Sequence, residues 1–335
     1  MKRIAPLFVL ILFISNANAQ EKTGLHIINT FHIASPGGWD YLEAGPVNNW
    51  LYVSHGTQVN IINKNTGDSV GVIENTTGVH GIAFDVANGK GYTSNGRLNN
   101  VYVFDMNTNK VLATIATGQN LDAIIYEPFS KKIVTCNGHS KNLSIIDPVQ
   151  NKVIDSVDVG GRPETAVSDG AGKIFVNVED KNEIVAIDVK TFKVLNHWSI
   201  APGEGPTGLA YDNNTKRLFA GCEKLLMVID ATNGKIIGKL PIGDGCDGIA
   251  FDATTKNIYT SNGADGTITV VHEENASTFT LVENITTKKG ARTICLDKTT
   301  HILYLPTAEF EPLEAGQNGR PKMKSGTFQI LVVSK

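Results

Sequence analysis

The sequence predicts an all-β fold, a seven-bladed β-propeller with four-stranded antiparallel blades. Three observations lead to this prediction. One unit recurs seven times at intervals of 40 to 45 residues, each unit holds four short strand-like runs, and the last unit lacks a fourth run that the N-terminal segment can supply. A repeat of this period is typical of propellers and solenoids.

The repeat is clearest in GVHGIAFD ending at Asp85, GPTGLAYD ending at Asp212 and GCDGIAFD ending at Asp252. Each unit has one reference residue, and the end of a second run, such as GYTSN, follows fifteen residues later. The reference residues are Asp40, His80, Asp122, Glu164, Thr207, Asp247 and Arg292. Seven references predict seven blades.

The four runs of a blade are visible in the second unit as GIAFD, KGYTSN, NVYVFD and KVLATIATG, separated by Asn, Gly and Asp turn residues. Runs rich in β-branched residues between such turns are typical of strands, and no unit has the 3.6-residue period of a helical solenoid. The seventh unit ends at FQILVV, from Phe328, whereas LHIINTFHIASPGG, from Leu25, matches the outer strand KVIDSVDVGGRP, from Lys152. The N-terminal strand is therefore expected to pair into the last blade and close the ring.

Residues 1–19 have the pattern of a secretory signal peptide: Lys2 and Arg3, an apolar run over 4–14, and small residues at Ala17 and Ala19. The run is shorter than the roughly 20 residues that cross a bilayer. No Cys follows the cleavage site to carry a lipid. We therefore expect residues 20–335 to form a single propeller domain, periplasmic or secreted, monomeric and without a membrane anchor.

The charge of the chain argues against a nucleic-acid partner. The formal net charge is −3, and loss of the two basic residues of the leader makes it −5. Nucleic-acid binding usually needs a broad basic surface. The expected partners are a small polar ligand or another protein.

Units such as GIAFDATTKNIYTSNGADGTITVV resemble the YVTN-repeat, YncE-like family of bacterial β-propellers. The resemblance rests on TSN at 93–95 and 260–262 and covers nearly the whole mature chain. The strand ends of the VID type that also support it lie at Asp105, Asp147, Asp188 and Asp230. It implies an exported seven-bladed propeller, and these motifs are specific for architecture, not for activity.

The reference residues are expected to rim one mouth of the central channel, where each first strand begins. Six of the seven are ionisable, although the whole chain is only 19% charged. Like charges at close range repel unless something offsets them, and Arg292 offsets part of the excess. A bound divalent cation, or a cationic or polyhydroxy ligand, would offset the rest. Tolerance of any polar residue at a water-filled mouth is the alternative explanation.

Further candidates are expected on the same face. The second strands end at His55, Asn95, Asn137, Glu179, Cys222, Asn262 and Thr307, with His139 just beyond. A long connection from Ala308 to about Ser325 carries Glu309 and is interpreted either as a lid or as a surface excursion. Trp39 is either a stacking platform for a ligand or an aromatic packed between blades.

Other recurrent residues have structural explanations. Aspartates at strand ends and turns are expected to hydrogen-bond their own turns. Cys222 and Cys246 lie on one face, and export would permit a disulfide between them, which the sequence leaves open. Cys136 and Cys295 are expected to pack as small apolar residues. There is no C-x-x-C pair to suggest a zinc or redox site.

Three functions remain open from sequence. The favoured one is a binding module that captures a small polar ligand or partner segment in a polar funnel at the channel mouth. The second is a metal-dependent hydrolase or lyase in which His80 or His55 moves protons. The third is a protein-interaction scaffold. The absence of G-x-S-x-G, H-E-x-x-H, Walker A and EF-hand motifs in a credible context disfavours an enzyme. The candidate ligand-binding residues are Asp40, His80, Asp122, Glu164, Asp247, Arg292, His55, Glu179, His139, Glu309 and Trp39.

Overall fold

The computed structural model describes residues 22–312 and 321–335. In these ranges, strands form seven separate antiparallel sheets of four strands each. The predicted signal peptide, residues 1–19, lies outside the described residues. Two short 3-10 helices, Val86–Asn88 and Glu179–Lys181, are the only helices in the described part, and neither is long or apolar enough to cross a membrane.

The strands follow the predicted repeat. Blade 1 holds β2 (Trp39–Ala44), β3 (Trp50–His55), β4 (Gln58–Asn63) and β5 (Ser69–Ile73); blade 2 holds β6 (Val79–Asp85), β7 (Lys90–Asn95), β8 (Asn100–Asp105) and β9 (Val111–Ala116); blade 3 holds β10 (Leu121–Glu127), β11 (Lys132–Asn137), β12 (Asn142–Asp147) and β13 (Lys152–Asp158). Blade 4 holds β14 (Pro163–Ser168), β15 (Lys173–Val178), β16 (Glu183–Asp188) and β17 (Lys193–Ser199); blade 5 holds β18 (Leu209–Asp212), β19 (Arg217–Cys222), β20 (Leu225–Asp230) and β21 (Ile236–Pro241). Blade 6 holds β22 (Cys246–Asp252), β23 (Asn257–Asn262), β24 (Thr267–Asn275) and β25 (Thr278–Thr286); blade 7 holds β26 (Cys295–Leu296), β27 (Leu303–Thr307), β28 (Gln329–Ser334) and β1 (His26–His32).

The ring closes as the sequence predicts. Strand β1 pairs antiparallel with β28, from His26 opposite Ser334 to His32 opposite Gln329. The first strands of neighbouring blades contact one another around the ring, and β26 of blade 7 contacts β2 of blade 1. The seven-bladed β-propeller is therefore confirmed, and its last blade is completed by the N-terminal strand.

The core lies between the blades. Second and third strands are covered on both faces by the neighbouring sheets, so side chains such as Leu51 and Val59 are fully buried. The outer strands face solvent on one side, which leaves Val72 and Leu112 more than one-third exposed. This arrangement buries most apolar area in the two middle strands and holds the first strands rigidly around the channel.

Two of the predicted structural motifs have clear causes. In the TSN segment of blade 2, Thr93 Oγ1 donates to Asn95 Oδ1 at 3.0 Å, and Asn95 Nδ2 donates across the hairpin to Asn100 Oδ1 at 2.9 Å. The aspartates at strand ends accept backbone N–H groups of their own turns, as Asp105 does from Asn107 and Thr108. Their turn role is confirmed by these bonds.

Candidate functional site at the channel mouth

In blades 2 and 6, a serine one residue before the end of the second strand fixes the backbone at the start of the first strands. Ser94 Oγ accepts the N–H of Gly81 in its own blade at 2.8 Å and donates to the carbonyl of Asp122 in the next blade at 2.5 Å. Ser261 Oγ likewise donates to the carbonyl of Arg292 at 2.5 Å. Two reference residues, Asp122 and Arg292, are thereby held in place by a bond from the preceding blade, which sequence reasoning did not anticipate.

Five reference residues meet in one network. His80 Nδ1 donates to Asp40 Oδ2 at 2.5 Å and lies 3.8 Å from Asp122 Oδ1. Arg292 Nε donates to Asp247 Oδ2 at 2.6 Å, and Arg292 Nη2 donates to Asp40 Oδ1 at 3.1 Å. Side chains from blades 1, 2, 3, 6 and 7 therefore converge where the first strands of these blades begin, a cluster that we call the mouth.

Arg292 also anchors the backbone of blade 1. Its Nη1 and Nη2 donate to the carbonyl of Trp39 at 3.2 and 3.0 Å. The neighbouring Thr293 Oγ1 donates to the carbonyl of Asp40 at 2.7 Å. One guanidinium thus joins blade 7 to blades 1 and 6, and the planar fork of Arg suits several acceptors at once.

The carboxylates at the mouth outnumber the cations. Burial raises the pKa of Asp122 well above its ordinary value, the charges of Asp40 and Asp247 raise it further, and Arg292 opposes them. Burial, followed by the charges of Asp122 and Asp247, raises the pKa of Glu164 to about 10. Asp122 Oδ1 is inaccessible to solvent and has no hydrogen-bond donor among the described residues. Arg292 therefore compensates the acidic cluster only in part.

Tyr41 was not among the sequence-derived candidates. Its Oη lies 3.4 Å from Thr165 Oγ1 of blade 4, and burial together with the charges of Asp122 and Glu164 raises the pKa of its hydroxyl. The side chain belongs to the same electrostatic cluster. Tyr41 follows the reference residue of a single blade, so the repeat gave no signal for it.

Two reference residues precede their strands. Strand β18 begins at Leu209, two residues after Thr207, and β26 begins at Cys295, three residues after Arg292. Thr207 Oγ1 donates to the carbonyl of Cys246 in the next blade at 2.7 Å, so its hydroxyl is used in blade packing.

His55 does not belong to the open face on which the sequence placed it. Its ring is fully buried and stacks on Phe328 with centroids 3.9 Å apart. Nε2 donates to the carbonyl of Gly37 at 3.0 Å, and Nδ1 lies 2.8 Å from Ser35 Oγ. Burial lowers the pKa of His55, so a neutral, packed ring replaces the expected proton carrier.

Glu179 and His139 lie toward the edge of the mouth. Glu179 begins the 3-10 helix Glu179–Lys181 and forms an ion pair with Arg162. Its charge contributes to the raised pKa of Glu164. His139 is exposed just after β11, and its backbone N–H donates to the carbonyl of Gln119.

The start of the long connection in blade 7 folds over Trp39. Glu309 pairs with Lys288 Nζ at 2.7 Å, and Phe310 forms a β-bridge with Met323. The Trp39 ring packs between Phe310 and Phe328, with centroids 6.1 and 5.3 Å away. Trp39 is therefore a packed aromatic, which is the second of the two sequence interpretations. Residues 313–320 of the connection lie outside the described residues.

The disulfide that the sequence leaves open is not formed in this structure. Cys222 and Cys246 are free, buried thiols. Cys222 Sγ donates to the carbonyl of Ala220 at 3.8 Å, and Cys246 Sγ donates to the carbonyl of Gly248 at 3.6 Å. Cys136 and Cys295 are also buried free thiols, as expected.

No protein-family model and no curated protein sequence matches the chain. Two solved structures are similar in fold. A chain of Kuenenia stuttgartiensis hydrazine synthase is 17% identical over 82% of this chain and 94% of its own, with a TM-score of 0.71. The WD40 repeats of RRP9 are 9% identical over 94% of this chain and 99% of their own, with a TM-score of 0.76. At these identities the likeness shows the fold, and both comparisons agree with a propeller.

Proposed function

We propose that this protein is an exported binding module of the YVTN-repeat, YncE-like type, whose channel mouth captures a small cationic ligand or a cationic segment of a partner. The observation that supports this proposal is the electrostatic coupling of four carboxylates, of Asp40, Asp122, Glu164 and Asp247, of which Asp40 and Asp247 pair with Arg292. Propeller folds commonly mediate binding to other molecules, which agrees with this proposal.

The physical argument rests on unbalanced charge. A buried carboxylate is costly unless it is paired, and the raised pKa values of Asp122 and Glu164 reflect that cost. A ligand that brings positive charge would remove both the repulsion and the need for protons. An acidic concave surface would also raise the local concentration of cations, and therefore their association rate.

The mouth is tested by calorimetry with spermidine as the probe cation. D122N should bind spermidine about tenfold more weakly than the wild type, because the amide cannot become an anion when the cation binds. D155N is the matched control, since Asp155 is exposed on the outer strand β13. Wild-type binding that is absent, or that D122N leaves unchanged, contradicts the proposal.

A metal-dependent hydrolase or lyase is the second candidate, favoured by one geometric observation. Donor atoms of Asp40, His80 and Asp122 all lie within 4.8 Å of one another. Two carboxylates and an imidazole suit Mn²⁺, Fe²⁺ or Zn²⁺. His80 Nδ1 would then bind the ion in place of its bond to Asp40. Stoichiometric metal in the purified protein, lost in H80Q, would support this function, whereas metal-free protein with spermidine binding supports the module.

Export and the scaffold alternative have their own tests. We propose that the leader is removed after Ala19, so the intact mass of the protein from the producing cell should correspond to a chain beginning at Gln20.

A scaffold that uses its outer surfaces would keep its partners in pull-downs after charge reversal at Asp122 and Asp247. Loss of those partners favours the mouth.

A further inference from the structure

The connections at one end of the blades form a face opposite the mouth. Each first strand begins at the mouth, so the connection from the first to the second strand lies at the other end of the blade. The connection from the third to the fourth strand lies at that end too, because neighbouring strands in a blade are antiparallel. We call these two sets of connections the far face. Equivalent connections of a repeat lie at one level, so the far face is nearly planar.

The far face is apolar in the first three blades and polar in the last three. The residue seven positions after each reference residue lies in the connection from the first to the second strand. It is Val47, Ala87 and Phe129 in blades 1 to 3, and Asn214, Thr254 and Thr299 in blades 5 to 7. Val47 is 56% exposed and Phe129 is 45% exposed. One side of the far face therefore presents apolar side chains to solvent.

Blade 3 has a second apolar side chain on this face. Val149 lies in the connection between β12 and β13 and is 83% exposed. The equivalent residues of blades 1, 2, 4, 5 and 6 are Asn65, Asn107, Lys190, Thr232 and Glu274. Phe129 and Val149 lie in connections two strands apart, so about 10 Å separates their backbones. Grouped apolar side chains of this kind are a feature of contact surfaces.

Lysines adjoin the two apolar side chains of blade 3. Lys190 Nζ lies 5.5 Å from the centroid of the Phe129 ring. Lys90 Nζ of blade 2 donates at 2.8 Å to the carbonyl of Pro148, the residue before Val149. The other lysines in or directly after the two connections of blade 3 are Lys131, Lys132 and Lys152. Five ammonium groups thus belong to the surroundings of Phe129 and Val149.

Fewer carboxylates lie in the same connections. Asp147, Asp169 and Asp188 each accept backbone N–H groups of their own turns. Asp147 also pairs with Lys132 Nζ at 3.0 Å, and Glu127 is buried. The fully exposed lysines are Lys131, Lys152 and Lys190. The charge around the apolar side chains is therefore positive, although the formal net charge of the whole chain is −3.

We propose that this part of the far face contacts an anionic phospholipid bilayer. Phe129 and Val149 enter the boundary between headgroups and acyl chains, and the surrounding lysines bind headgroup phosphates. Apolar side chains among lysines bind membranes in this way, because burial of apolar area and attraction to anionic lipids act together. The contact is peripheral and needs no membrane-spanning helix. It directs the mouth away from the bilayer, so the proposal is independent of the function proposed for the mouth.

A bilayer fits the shape of this surface better than a peptide does. A side chain that is 83% exposed, as that of Val149 is, protrudes and does not line a groove. Acyl chains close around a protruding side chain, whereas a protein partner must offer a matching pocket. The nearly planar face also lets Phe129 and Val149 reach one bilayer at the same time.

The test is co-sedimentation with vesicles at low ionic strength. The wild type should bind mixed vesicles of phosphatidylglycerol and phosphatidylcholine about tenfold more tightly than vesicles of phosphatidylcholine alone, and salt should weaken this binding. F129S/V149S should bind the anionic vesicles about tenfold more weakly, because less apolar area is buried. K131Q/K152Q should also bind them about tenfold more weakly, because two phosphate contacts are lost.

Two matched controls change side chains elsewhere. L112S removes a leucine that is 57% exposed on the outer strand β9. K141Q/K239Q removes two exposed ammonium groups, one between β11 and β12 and one on β21. Both proteins should bind the anionic vesicles as the wild type does. D122N should also bind them, so failure of the mouth proposal does not affect this test.

Two results overturn the proposal directly. They are a wild type that does not bind the anionic vesicles, and an F129S/V149S protein that binds them as tightly as the wild type. Polyglutamate is the probe for an acidic protein partner. A wild type that binds polyglutamate through Lys131 and Lys152, and does not bind the vesicles, overturns the proposal in favour of such a partner.

Discussion

Arg292 offers the sharpest test of how the mouth is held together. It is the cation through which blade 7 contacts both Asp247 of blade 6 and Asp40 of blade 1. It also donates two hydrogen bonds to the carbonyl of Trp39. R292M keeps much of the side-chain volume and removes all of these bonds, so Asp40 and Asp247 lose the counter-charge of the guanidinium.

The size of the effect follows from burial. Removing one partner of a buried ion pair costs about 3–5 kcal/mol, whereas exposed pairs contribute about 0–1 kcal/mol. The Arg292 side chain is 31% exposed, and those of Asp40 and Asp247 are 11% and 23% exposed. An intermediate loss of about 3 kcal/mol in the free energy of unfolding is therefore expected. R292K keeps the positive charge but not the planar guanidinium, so its loss in the free energy of unfolding should be about half as large.

Urea unfolding measures these losses, and a double-mutant cycle assigns them. D247N removes one of the carboxylates that Arg292 compensates, so R292M/D247N should be more stable than the sum of the two single losses predicts, by about 1 kcal/mol or more. Unchanged stability in R292M would refute the counter-charge role. Additive losses in the cycle would show that Arg292 acts through Trp39 and packing instead.

Three further variants test other parts of the fold. The pKa of Glu164 is raised to about 10 from its ordinary value of 4.5, so folding takes up a proton between these pH values. Wild-type stability in urea unfolding should therefore fall as pH rises from 5 to 9, and E164Q should flatten that profile. In G91A the new Cβ would lie 2.1 Å from the buried ring of Phe104, so calorimetric unfolding should show a loss of about 3 kcal/mol in stability. A G91A protein as stable as the wild type would contradict the close packing of Phe104 on Gly91. K64M should lower the free energy of unfolding by about 3 kcal/mol, because Asp297 loses its ion pair with Lys64. The double variant K64M/D297N should recover part of that loss, and no recovery would exclude the ion pair as its cause.

The blade architecture could be predicted because every blade repeats the same local chemistry. Strand runs, Asn/Gly/Asp turns and the TSN hairpin bonds each depend on residues close in sequence, and seven copies make the period visible. Ring closure was predictable for the same reason, since the segment around His32 matches the outer strands of other blades. The convergence of Asp40, His80, Asp122, Asp247 and Arg292 followed from their equivalent positions.

Side-chain burial and cross-blade pairing could not be predicted in the same way. His55 occupies a second-strand end, and Phe328 from the far end of the chain covers its ring. Trp39 is packed by Phe310 and Phe328, whose positions depend on the unusual connection of blade 7. These contacts join residues hundreds of positions apart, and a repeat pattern carries no information about them.

Glu273 is a buried acid at a position where other blades have apolar residues. Its backbone N–H donates to the carbonyl of the residue before the second strand, as those of Met106, Val189 and Ala231 do in their blades, so packing alone does not require an acid there. A buried carboxyl without a full set of partners costs stability that an apolar side chain would not. E273M should therefore be more stable than the wild type in urea unfolding, by about 1–2 kcal/mol. If E273M is instead less stable, the carboxyl stabilises the blade interface, and its bond with Thr215 explains its presence.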